Sequence, residues 1–366
     1  MDVITQAALG ATMGALIAGR QLGRPALGWG ILWAWIPSLD AVLLPFLDTV
    51  WDLRIQRAVF HSVVVLGAIA WALAKPLGKR WKKKKISPAR AGWWVFLGAS
   101  GSVLLDSFTV EGTQFLWPVV RHPWSFANLP AVDPWFSLPL LVAAGRWWFV
   151  EPKLWKKAEG RRFALICLGI SASYLGLSFW AKSSVSQAAL ADLGKRGVAL
   201  QRKIEVPAPY SILLWRVVIQ HDDELWVSYR SLLDGERPML WTIFPRREAA
   251  LEAWSKRPEV RTFRAVTQDW CVARDRPSGV WLIDARQGES RTWDSRGLQL
   301  RPDPGWDVRK ETKGDPMKKT EPQERHSKLM LERMWHRILG DQEGWEDRAR
   351  LIGNPGAPQE YLGALH

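Results

Sequence analysis

The stretch from Phe163 to Ala181 reads FALICLGISASYLGLSFWA and contains no charged residue. A helix that crosses a bilayer needs about 20 mostly apolar residues, so this stretch predicts a membrane-spanning helix. Other apolar segments precede it in the chain, at 7–23, 26–47, 59–77, 93–108 and 135–150. Residues 1–182 therefore predict a mainly α, multi-pass transmembrane helical bundle of about six segments.

Basic residues are concentrated in alternate connections between these segments. The 366-residue chain has 50 Lys and Arg against 36 Asp and Glu, and the basic side chains cluster at Arg20, Arg24, 79–90 and 153–162. Because short basic loops stay cytoplasmic, we expect an inner-membrane protein whose N-terminus and C-terminal half lie on the outer, periplasmic side. Loop charge explains the basic pI, so no nucleic-acid partner is expected.

The overall composition limits the class of protein. Hydrophobic residues make up 48% of the chain, which excludes a disordered chain or a collagen. The two cysteines, Cys167 and Cys271, are too few for a disulfide scaffold. The 25 tryptophans are typical of side chains that sit at a membrane–water interface, so we expect the lipid bilayer to be a partner.

Four ionisable residues lie inside or beside the apolar segments. They are Asp40, His61, Asp106 and Asp133, and the predicted topology brings all four toward the outer face. Buried ionisable groups are costly in a membrane and therefore indicate a functional site. Structural explanations stay open, since Asp133 before Pro134 is an ordinary helix cap, Asp106 can end a helix and His61 can be a simple hydrogen-bonding residue.

Carboxylate and imidazole groups are also the ligands that suit zinc, manganese or iron. We predict Asp40, His61 and Asp106 as ligands of a divalent metal, zinc or manganese. Asp106 and Asp133 are the predicted catalytic residues, with Asp133 orienting a ligand or acting as a base. A metal held there would lower the pKa of a bound water to about 7.

Several short motifs give the chain a recognisable family pattern. They are Met1-Asp2-Val3-Ile4-Thr5, Pro37-Ser38-Leu39-Asp40, Phe60-His61-Ser62, Leu104-Leu105-Asp106-Ser107-Phe108-Thr109, Gly112 to Pro118 and Asp133-Pro134. With these motifs the chain resembles the LexA-binding, inner-membrane-associated family of predicted metal-dependent hydrolases, over roughly residues 1–290. The resemblance implies a membrane-bound, metal-dependent hydrolase.

The chain departs from that family at four positions. Members usually have His at the places of Gln6, Gln56 and Ser102, and Asp at the place of Ser38. Three retained ligands can hold a catalytic zinc with water in the fourth position. The resemblance therefore implies either a trimmed metal site or a relative that has lost catalysis.

The second half of the chain predicts a different architecture. Residues 183–300 read as a small extracytoplasmic α+β domain with an antiparallel sheet. A helix is expected over 186–200 and another over 247–254; strands are expected at 212–219, 225–229, 240–244, 260–266, 270–273 and 279–283. Residues 301–366 predict a flexible tail whose Leu329–Leu339 segment forms an amphipathic helix for a membrane or partner.

Two hypotheses of function follow. In the first, a partly degenerate metal site hydrolyses a lipid-like or membrane-proximal ester or phosphoester. In the second, the site is inactive and the protein is a membrane anchor that binds a protein partner through its outer α+β domain. A transporter is less favoured, because the first three segments do not resemble an inverted repeat of the next three.

Overall fold

The computed structural model describes residues 1–43, 46, 51, 54–55, 57–149, 158–276, 279–286, 297–300 and 334–340. The replaced family position Gln56 and most of the predicted 301–366 tail lie outside these residues. The chain forms two compact units. The first contains Met1–Trp180 with Pro209–Ile212, and the second contains Ala181–Ala208 with the described residues from Leu213 onward.

The first unit is helical, and most of its predicted apolar segments coincide with helices. The helices are α1 (Val3–Leu22), α2 (Pro25–Ala34), α3 (Asp40–Leu43), α4 (Val63–Arg80), α5 (Pro88–Ser107), α6 (Pro134–Phe149) and α7 (Ala158–Arg196). The part of α7 from Ala181 onward belongs to the second unit. Helix α1 packs on α2, α5 and α6, and α4 packs on α5. Gly10 faces Gly30 and Gly14 faces Ala26, so α1 and α2 run antiparallel. Gly78 faces Pro88 and Gly92 faces Ala74, so α4 and α5 do as well.

Helices α1 and α2 approach each other closely through glycine. A Cβ atom placed on Gly14 would lie 2.1 Å from the carbonyl oxygen of Ala26, and one on Gly30 would lie 2.0 Å from that of Gly10. Only glycine fits at such backbone contacts, which are common between helices packed in membranes. The small residues of the apolar segment 7–23 thus have a packing role.

The second apolar segment, 26–47, is not one helix, contrary to its reading as a single span. Helix α2 ends at Ala34, a 3-10 turn follows over Ile36–Leu39, and the short α3 begins at Asp40. Pro37 causes the break, because proline has no backbone N–H and clashes with the preceding turn. The break places Asp40 at the start of a new helix.

By length and composition, one helix within the described residues is suited to crossing a membrane, over Glu159–Arg196. A mainly helical first half is therefore confirmed, whereas the six or so membrane-spanning segments stay a prediction. Two of the other helices are short, since α2 has 10 residues and α6 has 16. Both fall below the roughly 20 residues that span a bilayer unaided.

The second unit confirms the predicted α+β region with an antiparallel sheet. Its strands are β1 (Arg202–Pro207), β2 (Leu214–His221), β3 (Glu224–Ser231), β4 (Thr242–Pro245), β5 (Cys271–Arg276), β6 (Gly279–Asp284) and β7 (Gly297–Leu300). Strands β1–β4 form a four-stranded antiparallel sheet in sequence order, and β5–β7 form a three-stranded one. Val218, Trp270 and Ile283 belong to the core that these strands enclose.

Two secondary-structure predictions in this unit need correction. The predicted strand at 260–266 is a helix, α9 (Pro258–Val266), which follows α8 (Glu248–Ala253). Pro258 occupies the first helical turn, where proline is favoured, and Val260 and Phe263 are buried three residues apart on one face. The separate helix predicted at 186–200 is instead the end of the long α7.

Residues 334–340 of the predicted tail pack on the sheet of this unit. Met334 and Ile338 contact Leu214 in a shared apolar cluster. Both oxygens of Asp234 accept hydrogen bonds of 2.8 Å from the guanidinium of Arg337. In the described residues, this face of the predicted amphipathic helix is thus covered by the chain's own sheet.

Candidate functional site: a buried Asp–His–Asp cluster

Three predicted site residues meet at one end of the helical unit. Asp40 opens α3, His61 lies in the turn before α4, and Asp106 is the penultimate residue of α5. Nδ1 of His61 lies 2.8 Å from Oδ2 of Asp40, and Nε2 lies 3.3 Å from Oδ2 of Asp106. The imidazole thus bridges two carboxylates, and we call these residues the Asp–His–Asp cluster.

Met1 and a side chain of α1 complete the cluster. The amino group of Met1 forms a buried ion pair with Oδ1 of Asp106. Nε2 of Gln6 donates a hydrogen bond of 3.1 Å to Oδ2 of the same carboxylate. On the other side of the imidazole, the backbone N–H of Phe60 donates to Oδ1 of Asp40 over 3.0 Å. Every carboxylate oxygen in the cluster therefore accepts at least one hydrogen bond.

The segment between α5 and α6 covers this end of the unit. The backbone N–H of Phe126 donates to the carbonyl oxygen of Ser107, and that of Asn128 donates to that of Phe108. Asp40, His61 and Asp106 are consequently at most 6% exposed. In so dry an environment a hydrogen-bonded ion pair is strong, and an unpaired charge is costly.

Asp133, the fourth predicted residue, caps a helix. Its Oδ1 accepts the backbone N–H groups of Trp135 and Phe136 over 3.0 and 3.2 Å, at the start of α6. Its Oδ2 accepts the hydroxyl of Tyr174 at 3.0 Å. Burial raises the pKa of Asp133 to about 6, although these three donors act in the opposite direction. Two of these hydrogen bonds cap α6, and the third ties Asp133 to Tyr174 of α7. The catalytic role predicted for Asp133 stays a prediction.

The family positions that differ in this chain are found in three environments. Gln6 lies against Asp106, as described above. Ser102 is fully buried one turn before Asp106, and its hydroxyl has no hydrogen-bond partner among the described residues. Ser38 is exposed in the 3-10 turn after α2. A residue able to bind metal at the place of Gln6 would face the cluster, whereas the amide here binds divalent ions weakly.

The described cluster does not have the arrangement of a metal centre. The two ring nitrogens of His61 point in opposite directions, toward different carboxylates. An ion bound to one ring nitrogen would therefore lie beside only one of the two carboxylates, Asp40 or Asp106. No group of three or more His, Cys, Asp or Glu side chains is placed to hold a metal ion in the part of the chain that the structure describes. The roles of Asp40, His61 and Asp106 as metal ligands stay a prediction.

Sequence reasoning named Gln6 only as a replaced family position and did not single out Met1. Met1 and Gln6 reach Asp106 because Asp2 caps α1 by accepting the backbone N–H of Thr5, and its own N–H donates to the carbonyl of Ala131. The one signal in the sequence for Gln6 was the family resemblance, because family members usually have His at this position. Nothing in the sequence indicated that an amide would keep the contact.

The fold and the cluster together define a class of protein: a helical unit with buried ionisable groups at one end, followed by an α+β unit. The chain belongs to the YdjM inner membrane protein family, whose model matches residues 1–185. Members are predicted membrane-bound, metal-dependent hydrolases, so association with the lipid bilayer follows. The resemblance found in the sequence is confirmed over these residues. No curated protein and no solved structure matches the chain.

Proposed function

We propose that this chain is a non-catalytic member of its family, anchored in the inner membrane and working through partner binding by its α+β unit. The observation that carries the proposal is the imidazole of His61, whose two nitrogens are both engaged by carboxylates. Neutral imidazole binds metal through a free nitrogen lone pair. The contacts of the Asp–His–Asp cluster join α1, α3, α4 and α5, which supports a structural role for it.

The exposed surface of the helical unit supports the anchor. Large apolar side chains point outward from successive helices, among them Trp71 on α4, Trp93 on α5, Leu138 on α6 and Ile166 on α7, each more than half exposed. Continuous exposed apolar surface is unfavourable in water. A bilayer around about six membrane segments would cover it. The charges of the connecting loops favour the orientation with the α+β unit on the periplasmic side.

A second candidate is the family's metal-dependent hydrolysis of a lipid-like or membrane-proximal ester or phosphoester. One observation favours it: Nε2 of His61 and Oδ2 of Asp106 face each other at 3.3 Å. Asp40 on Nδ1 would then orient the ring, as carboxylates commonly do for metal-bound histidines. These are two ligand residues, and a catalytic zinc site ordinarily has three.

Elemental analysis of the purified full-length protein separates the two candidates. The non-catalytic proposal predicts that wild type and His61→Ala contain no stoichiometric zinc or manganese and hydrolyse neither phosphoester nor carboxylester substrates. His122→Ala, which removes an exposed imidazole, is the matched control. One equivalent of metal in wild type and in His122→Ala, lost in His61→Ala, would reject the proposal in favour of the hydrolase.

A further inference from the structure

A cavity of about 160 Å³ lies in the helical unit, away from the Asp–His–Asp cluster. Its polar lining comprises Arg20 and Gln21 near the end of α1, Arg90 at the start of α5 and Arg161 at the start of α7. Trp147, near the end of α6, forms an apolar wall. Arginine side chains from three helices, distant in sequence, thus line one space. Arg90 is half-buried, whereas Arg20 and Arg161 are exposed.

The three guanidinium groups lack carboxylate partners in the described structure. Asp and Glu are absent from the described lining of the cavity, and the ion pairs of the described residues include none of the three arginines. Arg90 is held in place by α1, because its Nη2 donates to the carbonyl oxygen of Ile17 and to Oε1 of Gln21. The carboxylate nearest in sequence, Glu159, is exposed and does not line the cavity. Positive charge is therefore gathered without internal neutralisation.

We propose that this cavity binds a phosphate group. Guanidinium groups form paired, charge-assisted hydrogen bonds with phosphate oxygens, and three of them around one cavity match a tetrahedral anion. The loops at this end are those predicted to be cytoplasmic. Basic pockets between membrane helices on that side are typical sites for anionic lipid headgroups.

A phosphate group can reach the cavity from two sources, an anionic phospholipid or soluble phosphate. The full-length protein is reconstituted in nanodiscs of phosphatidylcholine alone, or of phosphatidylcholine and phosphatidylglycerol in equal parts. Lipid that stays bound after transfer to detergent is counted by native mass spectrometry. A parallel arm measures thermal unfolding in detergent with added inorganic phosphate. The cavity variant is Arg20→Gln/Arg161→Gln, and the matched control is Arg24→Gln/Arg162→Gln, which removes the same charge from neighbouring exposed positions.

We expect wild type and the control to retain phosphatidylglycerol. The cavity variant should retain at least about tenfold less, because hydrogen bonds to a charged group are lost. Stabilisation by inorganic phosphate alone, lost in the cavity variant only, would support the site with a soluble ligand. An equal loss of binding in the cavity variant and in the control would show that general surface charge binds the anion, and it would overturn the proposal. Absence of binding in both arms would overturn it as well.

Discussion

The two ends of the helical unit handle charge in opposite ways. At one end, Asp40, His61 and Asp106 satisfy one another and the groups from α1, and covering loops exclude water. At the other end, Arg20, Arg90 and Arg161 surround a cavity without a carboxylate among its described lining residues. A closed set of ion pairs stabilises a fold, whereas charges of one sign around an open space need a partner from outside. We therefore expect substitutions at the first end to lower the free energy of unfolding strongly, and substitutions at the second end to weaken ligand binding.

The largest expected effect comes from opening the Asp–His–Asp cluster. Asp106→Ala removes the acceptor of His61, of Gln6 and of the Met1 amino group, and leaves buried donors and a cation without a partner. Breaking a buried ion pair in this way costs about 3–5 kcal/mol. The free energy of unfolding in detergent measures the loss, with Glu159→Gln as an exposed control. A loss below about 1 kcal/mol would show that the cluster does not hold this end together.

The close contact between α1 and α2 joins the two ends, and a side chain forced into it tests that link. In Gly14→Val the new atoms would collide with the backbone at Ala26. Overpacking of this kind costs about 1–3 kcal/mol, or more where backbone atoms are involved. Gly28→Ala is the control, because a Cβ there meets no atom within 4 Å. Equal thermal unfolding of the two variants would contradict the tight packing.

A smaller effect is expected at Asp133, where the carboxylate acts as a helix cap. Asp133→Ala should cost about 1 kcal/mol, and Asp133→Asn should keep most of the capping because asparagine is an equally good cap. A residue that must supply a carboxylate for catalysis would not be rescued by the amide. Comparable loss in both variants would therefore argue against the cap as its main role.

The raised pKa of Asp133 also gives a pH dependence with a defined sign. The folded protein favours the protonated acid up to about pH 6, whereas an unfolded Asp ionises at about 3.9. Burial therefore favours folding fully below about pH 4, and this contribution is lost as the pH rises through 6. Relative to Asp133→Asn, which does not titrate here, wild type should lose stability over that range. An unchanged difference between the two proteins would contradict the raised pKa.

The smallest effect on stability is expected from the arginine end without ligand. Arg20→Gln/Arg161→Gln should change the free energy of unfolding by less than about 0.5 kcal/mol, since both side chains are exposed. Thermal unfolding in phosphate-free, neutral detergent measures it. A loss as large as that of Asp106→Ala would remove the contrast between the two ends.

Much of the architecture was readable from local patterns. Long apolar runs located the helices, and short strand-like runs between turn signals located β2, β3 and the β5–β6 pair. The errors arose where tertiary packing decided the outcome. Pro37 broke a long apolar segment, and the 260–266 run, whose residues suit a strand, became α9 because Val260 and Phe263 pack on one helical face. Local propensity is readily overridden by such packing.

The candidate site was predictable in part for a similar reason. Charged residues in apolar surroundings are conspicuous, so Asp40, His61 and Asp106 could be singled out. Their mutual bonding depends on the ends of three helices meeting, and the groups from α1 carry no signal of their own. The cavity arginines were read only as loop charges that set orientation, because nothing in their spacing shows that three separate helices bring them together.

We propose that the Asp–His–Asp cluster joins the helices at its end of the unit and binds no metal ion. The most direct test is thermal unfolding of the wild-type protein in excess zinc or manganese, because an ion that binds only the folded state must raise the unfolding temperature. If the cluster binds no metal ion, we expect the same unfolding temperature with and without either metal. A metal-dependent increase that disappears in His61→Ala and persists in His122→Ala would contradict it.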